Sequence, residues 1–152
     1  MIQGKWFAPG DDLSAGVLPV REAVLGIGAD ALDSASWNVL VLEDSVPAAT
    51  GRIWWEDGAY RLGDLAVLEP YRNRRLGDLV LRLLLFKARS HAAREVRLNC
   101  PRSLTGFFAR LGLKEDPSVT SGAVEMVIPG DLIELDSCKN CPKQNCTNRQ
   151  PG

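Results

Sequence analysis

Net charge, histidine and long apolar runs are all in short supply in this chain of 152 residues. Eighteen Lys+Arg against 19 Asp+Glu leave a formal net charge of −1. The chain as a whole therefore exerts no pull on nucleic acid or anionic lipid, and any affinity for anions must come from a local cluster of cations. The longest Leu-rich run is broken by Arg82, and the start "MIQGKWFAPGDDLSAG" lacks the basic opening and apolar core of a signal peptide. These two absences predict a cytoplasmic protein with neither a membrane nor a nucleic acid as partner. Of four cysteines only Cys100 lies in the body of the chain, so no disulfide framework is expected. The single histidine, His91, falls at the end of a helical pattern, where a cation suits the dipole, and is assigned to a capping or surface role rather than to catalysis.

What remains is ample for a core: 45% hydrophobic and 24% charged residues give the profile of one globular domain. "LSAGVLPVREAVLGIG" predicts a short irregular helix over Val20 to Ile27. "WNVLVLE" (Trp37 to Glu43), "TGRIWW" (Thr50 to Trp55) and "YRLGDLAVL" predict a meander of three strands, with "EDG" as a hairpin turn. Leu76, Leu79, Val80, Leu83 and Leu84 fall on one helical face. A strand "EVRLNC", a helix "SLTGFFARLG" ending at Gly112 and a strand "AVEMVI" complete the domain, which is placed at residues 1–133. Residues 134–152 turn polar and read as a cysteine-bearing tail.

The Leu-rich helix joins two strands as a crossover. This predicts an α+β fold: three α/β/α layers and a mixed, mostly antiparallel sheet with one parallel pair. At the carboxyl end of the first parallel strand, "EPYRNRRLGD" places Arg72, Arg74 and Arg75 around a helix N-terminus, where unpaired N–H groups and the dipole favour an anion. Gly77 lets a ligand approach the backbone, and a diphosphate fits that chemistry.

The stretch "LAVLEPYRNRRLGDLVLRLL" resembles the strand and acyl-CoA pyrophosphate loop, (Q/R)-x-x-G-x-(G/A), of the GNAT N-acetyltransferase superfamily. Arg72 and Gly77 match the ends of that pattern, and Arg75 stands where the central glycine is expected. "RLNCPRSLTGFFARLGL" is similar to the later strand and helix ending in "FYEKLGF", with Phe107 and Phe108 on the "FY" positions. The resemblance implies acetyl transfer from acetyl-CoA to a small-molecule or peptide amine by direct attack in a ternary complex. It implies a cofactor site at Leu65, Ala66, Val67, Arg72, Asn73, Arg74, Arg75, Leu76, Gly77, Asp78, Asn99, Phe107 and Phe108, with carbonyl polarisation by backbone N–H near Ala66 and Val67.

A lysine-like amine has a pKa near 10.4, so deprotonating it at pH 7 costs roughly 4.6 kcal/mol, whereas a thiol leaving group needs little help. A base therefore matters more than an acid, and Phe108, where many relatives carry a tyrosine acid, is tolerable. Asp64 in "GDLAV" is the candidate base; its alternative is an ordinary edge carboxylate. Arg75, Asp78 and Phe108 keep a second reading open, a catalytically degenerate acyl-CoA sensor or scaffold. In the tail, Cys138, Cys141 and Cys146 have the spacing of a zinc or iron–sulfur knuckle one ligand short. The fourth ligand would be Cys100, Asp136 or a residue of a second subunit, the last of which leaves a homodimer open; a disulfide, a plain tail or a tail docked on its own domain is the alternative.

Overall fold

The computed structural model describes residues 1–119 and 122–134. In chain order these form β1 (Ile2–Phe7), α1 (Val17–Leu25), β2 (Ser36–Glu43), β3 (Val46–Glu56), β4 (Ala59–Val67), α2 (Leu76–Ser90), β5 (Glu95–Cys100), α3 (Thr105–Ala109), β6 (Lys114–Glu115) and β7 (Val124–Pro129). One sheet runs in the order β1-β2-β3-β4-β5-β7-β6. Its neighbours are antiparallel except for β4 and β5, the parallel pair that α2 connects. The expected fold class is the observed one, widened by an edge strand at each side.

The hairpins follow from their turns. Asp57 and Gly58 between β3 and β4 have φ of 53° and 82°, the paired positive values of a type I′ turn. Asp44 and Ser45 do the same without a glycine, at 52° and 68°. β3 therefore starts at Val46 rather than Thr50, and Pro47 is tolerated because the β2–β3 register slips between Val41 and Leu42 beside it. α1 begins three residues earlier than the sequence suggested. Pro19 sits in its first turn, where the missing N–H has no acceptor to lose. The expected helix ending at Gly112 is shorter: a 3₁₀ turn over Arg102–Leu104 leads into the five residues of α3, and Gly112, at φ 100°, closes a later turn.

The sheet lies between two helical layers. α1 packs Val17 and Val20, with Leu13, on Leu40 and Ala66 of one face. α2 buries Leu76, Val80, Leu81, Leu84, Leu85 and Ala88 on the other, against Val39, Ala49, Ile53 and Leu62. Leu84 is fully buried, and its truncation to alanine belongs to a class that costs about 2–5 kcal/mol. α3 adds Phe108 to the same core.

One irregularity positions everything that follows. β4 and β5 pair only at Tyr60↔Val96 and Arg61↔Arg97 and then part. In the same stretch β4 bulges against β3, where the register shifts between Thr50 and Arg52 and Asp64 takes φ 55°. Cys138, Cys141 and Cys146 lie outside the described residues. Among the described residues no group of three or more His, Cys, Asp or Glu side chains is placed to hold a metal, and Cys100, offered as a distant fourth ligand, is buried in the body of the domain.

Candidate active site

The turn after β4 is built to leave donors free. Arg75, the N-cap of α2, supplies no capping side chain, and the first helical bond runs from the Leu79 N–H to the Arg75 carbonyl at 3.1 Å. The N–H groups of Leu76, Gly77 and Asp78 are thus the orphan donors of a 15-residue helix. Asn73 and Arg75 both sit in the left-handed region, at φ 65° and 62°. Arginine holds a conformation suited to glycine, the residue expected there from the loop pattern. A methyl group at Gly77 would meet only Phe107 and Val67, at 3.6 and 3.7 Å, so the fold itself makes no demand for glycine there. Close approach of a ligand would.

These donors open into a cavity of about 300 Å³. Val67, Arg72, Asn73, Arg75, Leu76, Gly77, Asp78 and Phe107 line it as the sequence anticipated, together with Tyr71 and Arg110, which it did not single out. Arg74 is outside the lining: its guanidinium pairs with Glu43 and lies 5.6 Å from the Tyr71 ring centre. Arg110, three residues beyond Phe107 and so on the same side of the chain, lies over the Phe107 ring at 5.5 Å. That spacing was the available signal. The Asp78 carboxylate faces Arg82 Nε at 2.7 Å and Arg110 at 3.5 Å, which offsets its charge beside an anion site.

Where β4 and β5 part, a slot of about 330 Å³ passes between them. Asp64, Leu65, Asn99 and Phe108 line it, with Leu25, Leu62, Gly63, Leu98, Cys100, Pro101 and Leu104. The latter residues escaped the sequence reading because strand divergence is not a local pattern. Phe107 faces the anion cavity and Phe108 the slot, their rings 5.0 Å apart and edge to face, so α3 spans the two spaces. Leu68 donates its N–H to Ala48 on β3. Strand alternation therefore turns the Val67 N–H the other way, toward the divergence, and the Ala66 N–H toward β3. The Ala66 side chain is buried under α1. Burial pushes the Cys100 thiol up, which keeps it protonated and a poor nucleophile.

Asp64 belongs to a buried ionic network under α1. Its Oδ2 lies 2.6 Å from Arg52 Nε, an ion pair without hydrogen-bond alignment, so that Nε remains without a hydrogen-bond partner. Arg52 also binds Asp30 through both terminal nitrogens, at 2.7 and 2.8 Å, and Asp33 at 3.0 Å. Arg21, 1% exposed, forks onto Asp33 with two bonds of 2.9 Å and donates to Asn38 at 2.8 Å. Burial works against the charge on Arg52, yet the Asp30 hydrogen bond and the charges of Asp64, Asp30 and Asp33 raise its pKa on balance. The Arg52 hydrogen bonds hold the Asp30 carboxyl down at about 2. Asp33 is also lowered: desolvation opposes ionisation, but bonds from Arg21 and the Asp30 N–H outweigh it. Three carboxylates thus meet two guanidiniums, and the surplus negative charge includes Asp64, at the slot.

A sequence model described as the acetyltransferase (GNAT) family matches residues 17–113. The chain is 35% identical over 104 residues to glucosamine 6-phosphate N-acetyltransferase 1 of Oryza sativa subsp. japonica, a match covering 62% of this chain and 59% of that protein's length. Among solved structures, an acyl-CoA N-acyltransferase from Pseudomonas aeruginosa shares the fold with a TM-score of 0.73 at 16% identity, over 84% of this chain and 99% of that one. A GNAT family acetyltransferase from Elizabethkingia anophelis with acetyl-CoA bound gives 0.65 at 12% identity, over 84% and 97%. A match across well over half of the chain, which takes in the strand, the uncapped turn and α2, settles the classification: the chain belongs to the GNAT acetyltransferase family.

Proposed function

We propose that this protein is an N-acetyltransferase that binds acetyl-CoA at the Arg72–Gly77 turn and presents its thioester to a primary amine in the slot. The observation that carries the reading is the juxtaposition of the two spaces. Three uncapped N–H groups and the cations Arg72, Arg75 and Arg110 converge on one cavity, and Phe107 and Phe108 link it to the slot between β4 and β5. A diphosphate matches the first space in charge and in donor geometry. When bound, acetyl-CoA supplies the activated acetyl group, and every other task falls to the chain.

Those tasks divide by residue. The Val67 N–H, which strand alternation turns toward the divergence, polarises the thioester carbonyl. Asp64 holds an ammonium at the slot and passes its first proton toward solvent, a step worth roughly 4.6 kcal/mol for an amine of pKa near 10.4 at pH 7. As the nitrogen forms its bond to the acetyl carbon, the carbon–sulfur bond breaks, and the second proton ends on the thiolate. Phe108 offers no acid for that last step. The leaving thiolate needs little assistance, because general acid help is worth about 10²–10⁴ and least for a good leaving group.

Calorimetry with acetyl-CoA, followed by thiol release in the presence of a panel of primary amines, tests this reading. Tight binding with thiol released in proportion to acceptor is the expected result. Binding without release for any amine would establish the sensor reading instead. In the active enzyme, Asp64→Asn is expected to depress the rate chiefly at low pH, where the amine most needs to lose its proton; parallel pH–rate profiles for variant and parent would remove Asp64 from the base role.

A further inference from the structure

The slot carries a statement about the acceptor, which rests on the reading of the slot as the amine site. We infer that the acceptor is a small apolar primary amine, its hydrocarbon part seated between Leu25, Leu65, Leu104 and Phe108 and its ammonium directed to Asp64.

The lining supports this in three ways. First, Leu25 and Leu104 are 39% and 45% exposed, unusual for leucines that close an element on each side of one opening, Leu25 ending α1 and Leu104 ending the 3₁₀ turn after β5. Neither contributes a fully buried contact to the core, and both gain one if an apolar group enters between them. Second, the cations nearby are committed. Arg52, opposite Gly63 in the β3–β4 register, answers to Asp30, Asp33 and Asp64. Arg61, two residues before Gly63, forks onto Glu125 with two bonds of 2.9 Å and also donates to Asn99. Among the described residues a phosphorylated or carboxylated acceptor would find no free guanidinium at this opening and would face the Asp64 carboxylate, whereas an ammonium finds the surplus negative charge of the network. Third, apart from Asp64 and Asn99 the side chains that line the slot are apolar, which suits a hydrocarbon group better than the hydroxyls of a sugar phosphate.

In the transfer, the amine nitrogen bonds to the acetyl carbon as the carbon–sulfur bond breaks. Of the two protons the ammonium gives up, one goes to the thiolate and one to solvent. The hydrocarbon part takes no part in the chemistry; it fixes where the nitrogen sits.

The test is thiol release with the full chain and saturating acetyl-CoA, comparing 2-phenylethylamine with glucosamine 6-phosphate. The expected result is a kcat/KM at least about tenfold higher for 2-phenylethylamine, the scale on which an apolar pocket discriminates. Leu25→Asp and Leu104→Asp, at positions exposed enough to accept a charge, should each raise the KM for 2-phenylethylamine about fivefold or more, while calorimetry gives acetyl-CoA affinity within about twofold of the parent. A higher kcat/KM for glucosamine 6-phosphate overturns the apolar acceptor and leaves the acetyltransferase reading standing. An unchanged KM in both aspartate variants removes the leucines as the seat. If the parent chain binds no acetyl-CoA at all, the reading of the slot as an amine site falls, and this inference falls with it.

Discussion

Two groups of arginines in this molecule have opposite fates. Arg21 and Arg52 are buried under α1 and matched by carboxylates, beside a 3₁₀ turn whose start is doubly capped: Asp30 accepts from the Leu32 N–H, and Asp33 accepts from the Asp30 N–H. Arg72 and Arg75 stand exposed at a helix start with no side-chain cap, and neither guanidinium meets a carboxylate among the described residues. Where the fold neutralises its own cations, it builds a wall. Where it leaves cations, orphan N–H groups and left-handed backbone together, it leaves something for a ligand to complete. Arg74, a neighbour in sequence, falls on the structural side through Glu43, so proximity along the chain does not decide the matter.

The largest expected effect breaks the first group. Arg52→Met leaves Asp30, Asp33 and Asp64 facing each other across a site where the arginine side chain is only 5% exposed. Removing one partner of a buried ionic cluster typically costs about 3–5 kcal/mol. Urea denaturation should show a loss of that order, while Arg75→Ala in the same assay should move stability by no more than about 0.5 kcal/mol. Equal losses in the two variants would erase the distinction.

A second substitution breaks the other group and is read through binding rather than stability. Arg72 donates from Nε to the Val67 carbonyl at 3.0 Å and presents the rest of its guanidinium to the anion cavity. Charge-assisted hydrogen bonds are worth about 1.5–3 kcal/mol each, so Arg72→Ala should weaken acetyl-CoA binding about tenfold or more. Arg74→Ala, which loses only an exposed pair with Glu43, should change affinity by less than about threefold. Calorimetry on both variants decides the matter, and an Arg74 effect as large as that of Arg72 would show that the loop rearranges around its ligand.

The contrast also explains what the sequence could reveal. The anion turn was readable because strand, turn and helix are contiguous, and because orphan donors at a helix start are a property of any helix. The buried network was not readable. Arg21 and Arg52 look like surface residues in a hydrophobicity pattern, and only the fold brings them within reach of Asp30, Asp33 and Asp64. β1 escaped notice because it is an edge strand exposed over most of its length, with no alternation to read, and β6 because two residues carry no period. The slot was readable in part: the family resemblance singled out Asp64, Leu65, Asn99 and Phe108, whereas Leu25, Pro101 and Leu104 are brought to it only by two strands failing to pair and carry no local pattern.

A smaller effect distinguishes the groups by pH. The folded-state pKa of Asp30 is depressed from 3.8 to about 2. The stability it contributes is therefore complete above pH 3.8 and is lost as the pH falls toward 2. The Asp30 side chain is 45% exposed, so solvent screening holds this contribution to about 1 kcal/mol at most. Asp30→Asn should flatten the dependence of the urea midpoint on pH across that window. An undiminished slope would assign acid sensitivity to other carboxylates, Asp33 first among them, since its pKa is also lowered.

The smallest effect lies in the backbone of the anion turn. Arg75 at φ 62° bears the steric strain of a left-handed L-residue, roughly 1–2 kcal/mol, and Arg75→Gly relieves it. Glycine also adds freedom to the unfolded chain, a cost of roughly 0.5–1 kcal/mol, which leaves a net gain near 0.5 kcal/mol. The same change deletes a cation from the cavity. If Arg75 is held in a glycine conformation because its charge serves the ligand, Arg75→Gly should stabilise the free protein slightly while weakening acetyl-CoA binding, and thermal shift with calorimetry reads both quantities. A variant that is more stable and binds as tightly as the parent would show that the strain serves no ligand, and that this turn differs from the network under α1 only in where its charges lie.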